Sequence, residues 1–239
     1  DCWPFTGHCV HFQQAGCNKW KEKCHHCPLT RQYPASMGID RSRQNYLRKK
    51  EAFTGIEDMT LLVPSYWLAE RVKESFLKDY PVRVIYNGID LDIYRPTPSD
   101  FRKKYHLENK FVVLGVANVW VERKGLSTFL ALADRLGEEY KIVLVGLSEG
   151  QLASLPANVL GLPRTDTPEK LAQIYTAADV FVNPSREETF GLTVAEAMAC
   201  GTWPIVYADT ACAEVVKKGA GTIVTGDLAV LDVGVQSAA

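Results

Sequence analysis

Glu188 and Glu196 stand eight residues apart around a Phe190-Gly191 turn. An apolar run, Val180-Phe181-Val182, comes before them and ends at Asn183-Pro184-Ser185. Helix-favouring residues, Val194 to Ala199, come after and are stopped by Gly201. This order predicts a strand, a loop and a helix, with Glu188 in the loop and Glu196 in the second turn of the helix. A helix start offers unpaired backbone N–H groups and a positive dipole end, which suit a phosphate. A carboxylate accepts hydrogen bonds from two neighbouring hydroxyls, so each Glu suits a polyol. Sugar, diphosphate and ribose are the parts of a nucleotide-sugar.

Arg123-Lys124-Gly125 is the second candidate group, after an apolar run at Phe111 to Val116. Two cations at a strand end could neutralise a diphosphate. Neither signal is specific alone. A basic pair in a loop is commonly solvated surface, and two Glu near a helix start are commonly dipole partners. Their weight comes from falling on loops that leave one sheet.

The elements that would position these residues alternate. Met59 to Val63 and Val82 to Tyr86 read as strands around a helix from Tyr66 to Leu77, capped by Ser65. Residues 41–55 read as a helix with a basic face at Arg48, Lys49 and Lys50. A second series has strands at Phe111 to Val116, Ile142 to Val145, Val159-Leu160, Val180 to Asn183, Pro204 to Tyr207 and Thr222 to Val224. Its helices run about Ser127 to Leu136, Pro168 to Ala177 and Thr193 to Cys200. Alternation of this kind predicts an α/β fold with doubly wound parallel sheets and ligand at the C-terminal strand ends. Pro96-Thr97-Pro98 reads as a linker, giving a partial first domain over 1–95 and a second over 96–239. No helical pattern covers the last strand over Leu231 to Ala239.

The bulk numbers narrow the class. The chain has 239 residues, 46% hydrophobic and 23% charged, as in ordinary globular proteins. A net charge of -1 argues against a general nucleic-acid binder. No apolar run approaches the ~20 residues needed to cross a bilayer. The chain begins at Asp1 without an initiator Met and reads as a fragment.

Five of the seven cysteines fall in the first 27 residues, inside a Cys/His-rich insertion over 1–40. Cys9, Cys17, Cys24 and Cys27, spaced x7, x6 and x2, could hold a structural zinc. Only one C-x-x-C pair is present, so disulfides and free thiols stay open. Cys200 and Cys212 read as small buried residues.

Asn183-Pro184-Ser185, Glu188-Thr189-Phe190-Gly191-Leu192 and Glu196-Ala197-Met198-Ala199-Cys200-Gly201 together resemble the donor-site signature of glycosyltransferase family 4. The likeness extends to Asn87-Gly88-Ile89-Asp90, Tyr94-Arg95-Pro96, Arg123-Lys124-Gly125 and Ala177-Ala178-Asp179-Val180-Phe181. It covers most of residues 55 to 226. Asp1 to Cys9 resembles a bacterial branch that makes extracellular polysaccharides. The resemblance implies a retaining GT-B enzyme with two Rossmann-like domains, the first incomplete here. The second domain would bind a UDP- or GDP-linked sugar, and the first would face a glycan or lipid-linked acceptor.

By this resemblance Lys124 and Arg123 would hold the diphosphate, and Glu188 the hydroxyls of the transferred sugar. Backbone groups of Thr189, Phe190, Gly191 and Leu192 would cradle sugar and phosphate. Glu196 would hold the ribose hydroxyls, and the Gly161 to Arg164 loop would lie near the base. Catalysis would require no cofactor and would rest on Glu188, Lys124 and charge stabilisation. Asn118 stands where the family usually carries an Arg, six residues before Lys124. The branch usually has a His before the Asp of the Asp-Cys-Trp stretch, and this chain begins after that position. A fragment of this kind is expected not to turn over alone. The expected location is cytoplasmic, at or near the inner membrane face through peripheral contact. Two readings of another kind are a non-catalytic nucleotide-sugar binder and a zinc-stapled interaction module. A sugar-nucleotide epimerase is a weaker third, since it needs further acid/base residues.

Overall fold

The fold is described from a computed structural model, for residues 2–216, 219–225, 232 and 234–238. Two compact units divide the chain, Asp1–Asn87 and Gly88–Ala239.

In the first unit, residues up to 41 form only two short 3-10 turns, Trp3–Phe5 and Lys19–Lys21. Then come α1 (Ser42–Thr54), β1 (Leu61–Val63), α2 (Tyr66–Lys73) and β2 (Val82–Val84). β1 and β2 pair in parallel, Leu61 opposite Val82, as the β-α-β pattern predicts. Ser65 caps α2 by accepting the Leu68 N–H at 3.1 Å. α2 ends four residues earlier than its apolar periodicity suggests. The Ser75 hydroxyl donates to the Val72 carbonyl at 2.7 Å and accepts from the Leu77 N–H at 3.1 Å. These local bonds replace the next helical ones. Phe5, Phe12 and Trp20 stack at centroid distances of 4.7 to 6.5 Å and pack with Val63, Leu68 and Val72.

The second unit holds α3 (Phe101–Lys104), β3 (Phe111–Val116), α4 (Leu126–Ala133), β4 (Tyr140–Val145), α5 (Glu149–Ala153) and β5 (Val159–Leu162). It continues with α6 (Pro168–Ala177), β6 (Val180–Asn183), α7 (Leu192–Ala199), β7 (Trp203–Tyr207), α8 (Cys212–Val215) and β8 (Thr222–Val224). The sheet order is β5-β4-β3-β6-β7-β8, and all pairs are parallel. The chain therefore winds outward from β3 to one edge and then returns to start at β6 toward the other. β3 and β6 are neighbours whose onward connections run in opposite directions. That is the switch point, where a crevice opens beyond the strand ends.

Strand residues alternate between two cores. Val113, Ile142, Leu144, Val180, Val182 and Ile205 pack with Phe129 and Leu132 of α4. Val112, Leu114, Val143, Phe181 and Val206 pack with Tyr175 of α6 and with Val194 and Ala197 of α7. Both faces are covered, so the strands read as unbroken apolar runs. α3, α5 and α8 were not expected, because four or five residues are too few to carry a helical period. Residues 234–236 are helical as well, and Val235 is buried in the first of these cores beside Val224. Asp1, Leu231 and Ala239 lie outside the described residues. Among the described residues no helix is long and apolar enough to cross a membrane.

Candidate functional site

The loop after β3 passes through a 3-10 turn, Glu122–Lys124, and ends at Gly125 with φ 81°. A Cβ on Gly125 would lie 2.6 Å from Pro184 Cγ in the loop after β6. The Arg186 N–H donates to the Arg123 carbonyl at 3.0 Å. The two loops are thus stitched together at the switch point. Their stitching sets Lys124 Nζ against Glu188 Oε1 in an ion pair. The side chains are 24% and 16% exposed, so the pair is partly shielded yet reachable. On the far side the Ala211 N–H donates to the Glu188 carbonyl at 3.1 Å.

Gly191, at φ 104°, turns the loop into α7. A Cβ there would stand 2.7 Å from Cys212 Sγ, so the turn also requires a small residue. The Val194 and Ala195 amides donate to the Gly191 carbonyl. Helix geometry leaves the amides of Gly191, Leu192 and Thr193 with no intrahelical acceptor. Gly191 at the α7 N-cap has no side chain, so no side-chain cap bond is made there. Such an end can receive an anion.

Glu196 lies one turn further into α7. Tyr175 donates to its Oε2 at 3.0 Å, and Tyr94 donates as well. Burial raises the Glu196 carboxyl above its usual value, and the two tyrosine donors oppose that rise. Burial, then the Glu196 charge, pushes Tyr94 up to about 12, so the phenol stays protonated and a donor well above neutral pH. A cavity of about 340 Å³ is lined by Tyr94, Asn118, Arg164, Thr193 and Glu196.

The expected residues therefore fall in two adjoining groups. Lys124 and Glu188 form one, with Arg123 half-buried and tied by its carbonyl. Glu196 and Arg164 share the cavity, into which the α7 start contributes Thr193. Phe190 and Gly191 are buried, Thr189 is half-buried and Leu192 is exposed. Tyr94 entered the sequence reading only within the family likeness, with no role given, and Tyr175 was not singled out at all. Tyr175 lies on α6, 21 residues before Glu196, and no short-range pattern links them. Glu187 was missed too; it is fully buried beside the exposed Arg186, which lies over the Tyr207 ring at 5.1 Å.

Cys9, Cys17, Cys24 and Cys27 gather in the apolar core of the first unit, all as free thiols. Among the described residues no three His, Cys, Asp or Glu side chains form a metal-binding group, so the zinc shell suggested by the spacing finds no support. The four thiols are close enough to affect one another. Burial first, then repulsion from neighbouring thiols, pushes Cys9 up to about 12, and burial takes Cys24 to about 11.

The family model described as "Glycosyl transferases group 1" matches residues 98–229, more than half of the chain. The chain belongs to this family. It is 29% identical over 154 residues to alpha-galactosylglucosyldiacylglycerol synthase of Streptococcus pneumoniae, covering 58% of this chain and 40% of that protein. Sucrose-phosphate synthase from Thermosynechococcus elongatus superposes with a TM-score of 0.71 at 26% identity, over 89% of this chain and 57% of that one. Anabaena HepE, solved with UDP-glucose, shares the fold with a TM-score of 0.66 at 22% identity, over 81% of this chain and 57% of that one. The chain spans less than half the length of the group 1 relative and little more than half of either solved chain. The matched stretch contains the whole of the β3–β6 switch point, and its group 1 architecture is the GT-B type of α/β fold.

Proposed function

We propose that this group 1 chain binds a nucleotide-sugar, UDP- or GDP-linked, in its second unit and serves a retaining glycosyl transfer. The observation that carries this reading is the arrangement around the start of α7. The Lys124–Glu188 pair stands at one strand end, and Glu196 with its two tyrosines stands beside the cavity.

Lys124, with Arg123 beside it, neutralises the diphosphate, and the α7 amides receive a phosphate oxygen. Glu188 accepts hydrogen bonds from hydroxyls of the transferred sugar, and Glu196 accepts from the ribose. Arg164 lines the base end of the cavity. Leaving-group departure separates charge, and fixed cations and amides stabilise it without reorganising. The leaving phosphate then takes the acceptor proton on the same face, so binding and orientation supply most of the rate. The first unit is the acceptor side. The acceptor is a lipid-linked or glycan molecule, a choice supported by the diacylglycerol in the name of the pneumococcal relative. Polysaccharide assembly at a membrane surface is the corresponding setting.

Calorimetry with UDP and GDP tests the reading. Lys124→Ala loses a charge-assisted contact of about 1.5–3 kcal/mol, an affinity loss of about 10- to 100-fold. Unchanged affinity in that variant, or no binding of either nucleotide by the parent chain, would remove the donor site.

A further inference from the structure

The first unit contains a cavity of about 560 Å³ that none of the donor-site chemistry uses. That volume falls in the range of small-molecule sites. Arg41, Asn45, Arg48 and Lys49 line it, together with His8 and Trp3. Arg41 precedes α1, and the other three follow at helical spacing, so one face of α1 presents three cations to the same space. Among the described residues no Asp or Glu lines the cavity.

Like charges brought together without a counter-charge repel, and the repulsion grows where water is scarce. Lys49 feels this scarcity, since burial lowers its ammonium to about 8. Its Nζ is held in place by the Trp3 and Thr6 carbonyls at 2.7 and 2.9 Å and lies 3.4 Å from the Trp3 ring centroid. His8 adds a second, separate sign. Its Nε2 is buried and has no hydrogen-bond partner among the described residues. A buried polar atom without a partner is costly unless a ligand or water meets it. The cavity rim is of a different kind, with Met37 fully exposed and Ile39 61% exposed.

We propose that this cavity is an anion site for a phosphoryl group, a phosphate or diphosphate ester, formed by Arg41, Arg48, Lys49 and His8. Arg41 and Arg48 grip two oxygens each in the planar fork that suits phosphate. Lys49 supplies a fixed point charge, and His8 meets a further oxygen. The exposed Met37 and Ile39 contact an apolar group attached to that phosphate. The site would give the acceptor its chemical class in the function proposed above, yet its binding is measurable without any transfer.

Binding of inorganic pyrophosphate by calorimetry, and of vesicles with and without phosphatidic acid by cosedimentation, tests the proposal on the full chain. Arg48→Gln should weaken pyrophosphate binding about tenfold or more, while UDP affinity stays the same. Lys50→Gln removes the same charge from α1 outside the cavity and should change pyrophosphate binding less than twofold. Lys124→Ala should leave the Arg48-dependent binding intact, which separates this site from the donor site. Both Arg48 and Lys50 are exposed, so neither change threatens the fold. Pyrophosphate binding marks the phosphoryl group as sufficient. Binding only of phosphatidic acid vesicles, weakened by Arg48→Gln and by Met37→Ser, assigns the group to a lipid. Three results overturn the proposal: neither ligand binds, Lys50→Gln weakens binding as much as Arg48→Gln, or neutral vesicles bind equally well. Absence of UDP binding with pyrophosphate binding retained would overturn the donor reading and leave this site standing.

Discussion

Lys124 and Glu188 neutralise one another across two loops that leave neighbouring strands. Each is then a competitor for the other's ligand. Under the proposed donor reading, removing the carboxylate frees the ammonium for a diphosphate and deletes a contact to a sugar hydroxyl. Glu188→Gln should therefore bind UDP as tightly as the parent chain or tighter. It should also lose most of the extra affinity that the parent gains from UDP-glucose over UDP. Titrating both ligands into both chains measures this. A Gln variant that keeps the parent's preference for UDP-glucose would deny Glu188 contact with the sugar.

Tyr175 is fully buried and spends its hydroxyl on Glu196 at 3.0 Å. Tyr175→Phe keeps the ring in the core and removes that donor. Hydrogen bonds to charged groups contribute about 1.5–3 kcal/mol, so the Glu196 rotamer loosens. UDP affinity should fall by about tenfold, and affinity for 2′-deoxy-UDP should hardly move. Equal losses for both nucleotides would mean that Glu196 does not read the ribose.

Glu196 also makes a pH signature. Its folded value is raised above 4.5, mainly by burial. The folded chain therefore holds this proton to higher pH than the unfolded chain does. The resulting stability is full below pH 4.5 and is lost as pH rises through the raised folded value. Glu196→Gln has no such proton. Across that window, from below pH 4.5 to neutral, the parent's Tm should decline relative to the variant's. Parallel Tm curves would show that the carboxyl is not raised.

Gly125 makes the contact between the two loops. A methyl group there would meet Pro184 Cγ at 2.6 Å, and φ of 81° disfavours any side chain. Gly125→Ala should cost about 1–3 kcal/mol from overpacking and backbone strain. A clear drop in Tm, with weaker UDP binding, is expected in thermal denaturation and calorimetry. A neutral substitution would mean that the loops are free to part.

Much of the fold was legible because buried parallel strands must be apolar throughout. Val180 to Asn183 and Phe111 to Val116 appear where the runs place them, and α6 starts at Pro168 as expected. The loops at Gly125 and Gly191 were legible as turns because glycine at a left-handed position and a helix start leave local traces. The Cys9–Cys27 spacing brought those thiols together in the first unit's core, but spacing alone does not choose among metal, disulfide and free thiol.

The sequence by itself determined the alternation of elements, the apolar strands and the residue types at each loop. Those follow from contacts a few residues apart, which chain geometry dictates. Only the tertiary structure decided that Lys124 would spend its charge on Glu188, 64 residues later, and that Tyr175 would hold Glu196. Such pairings depend on which strands become neighbours, and the β3–β6 adjacency is set by burial on both faces of the whole sheet.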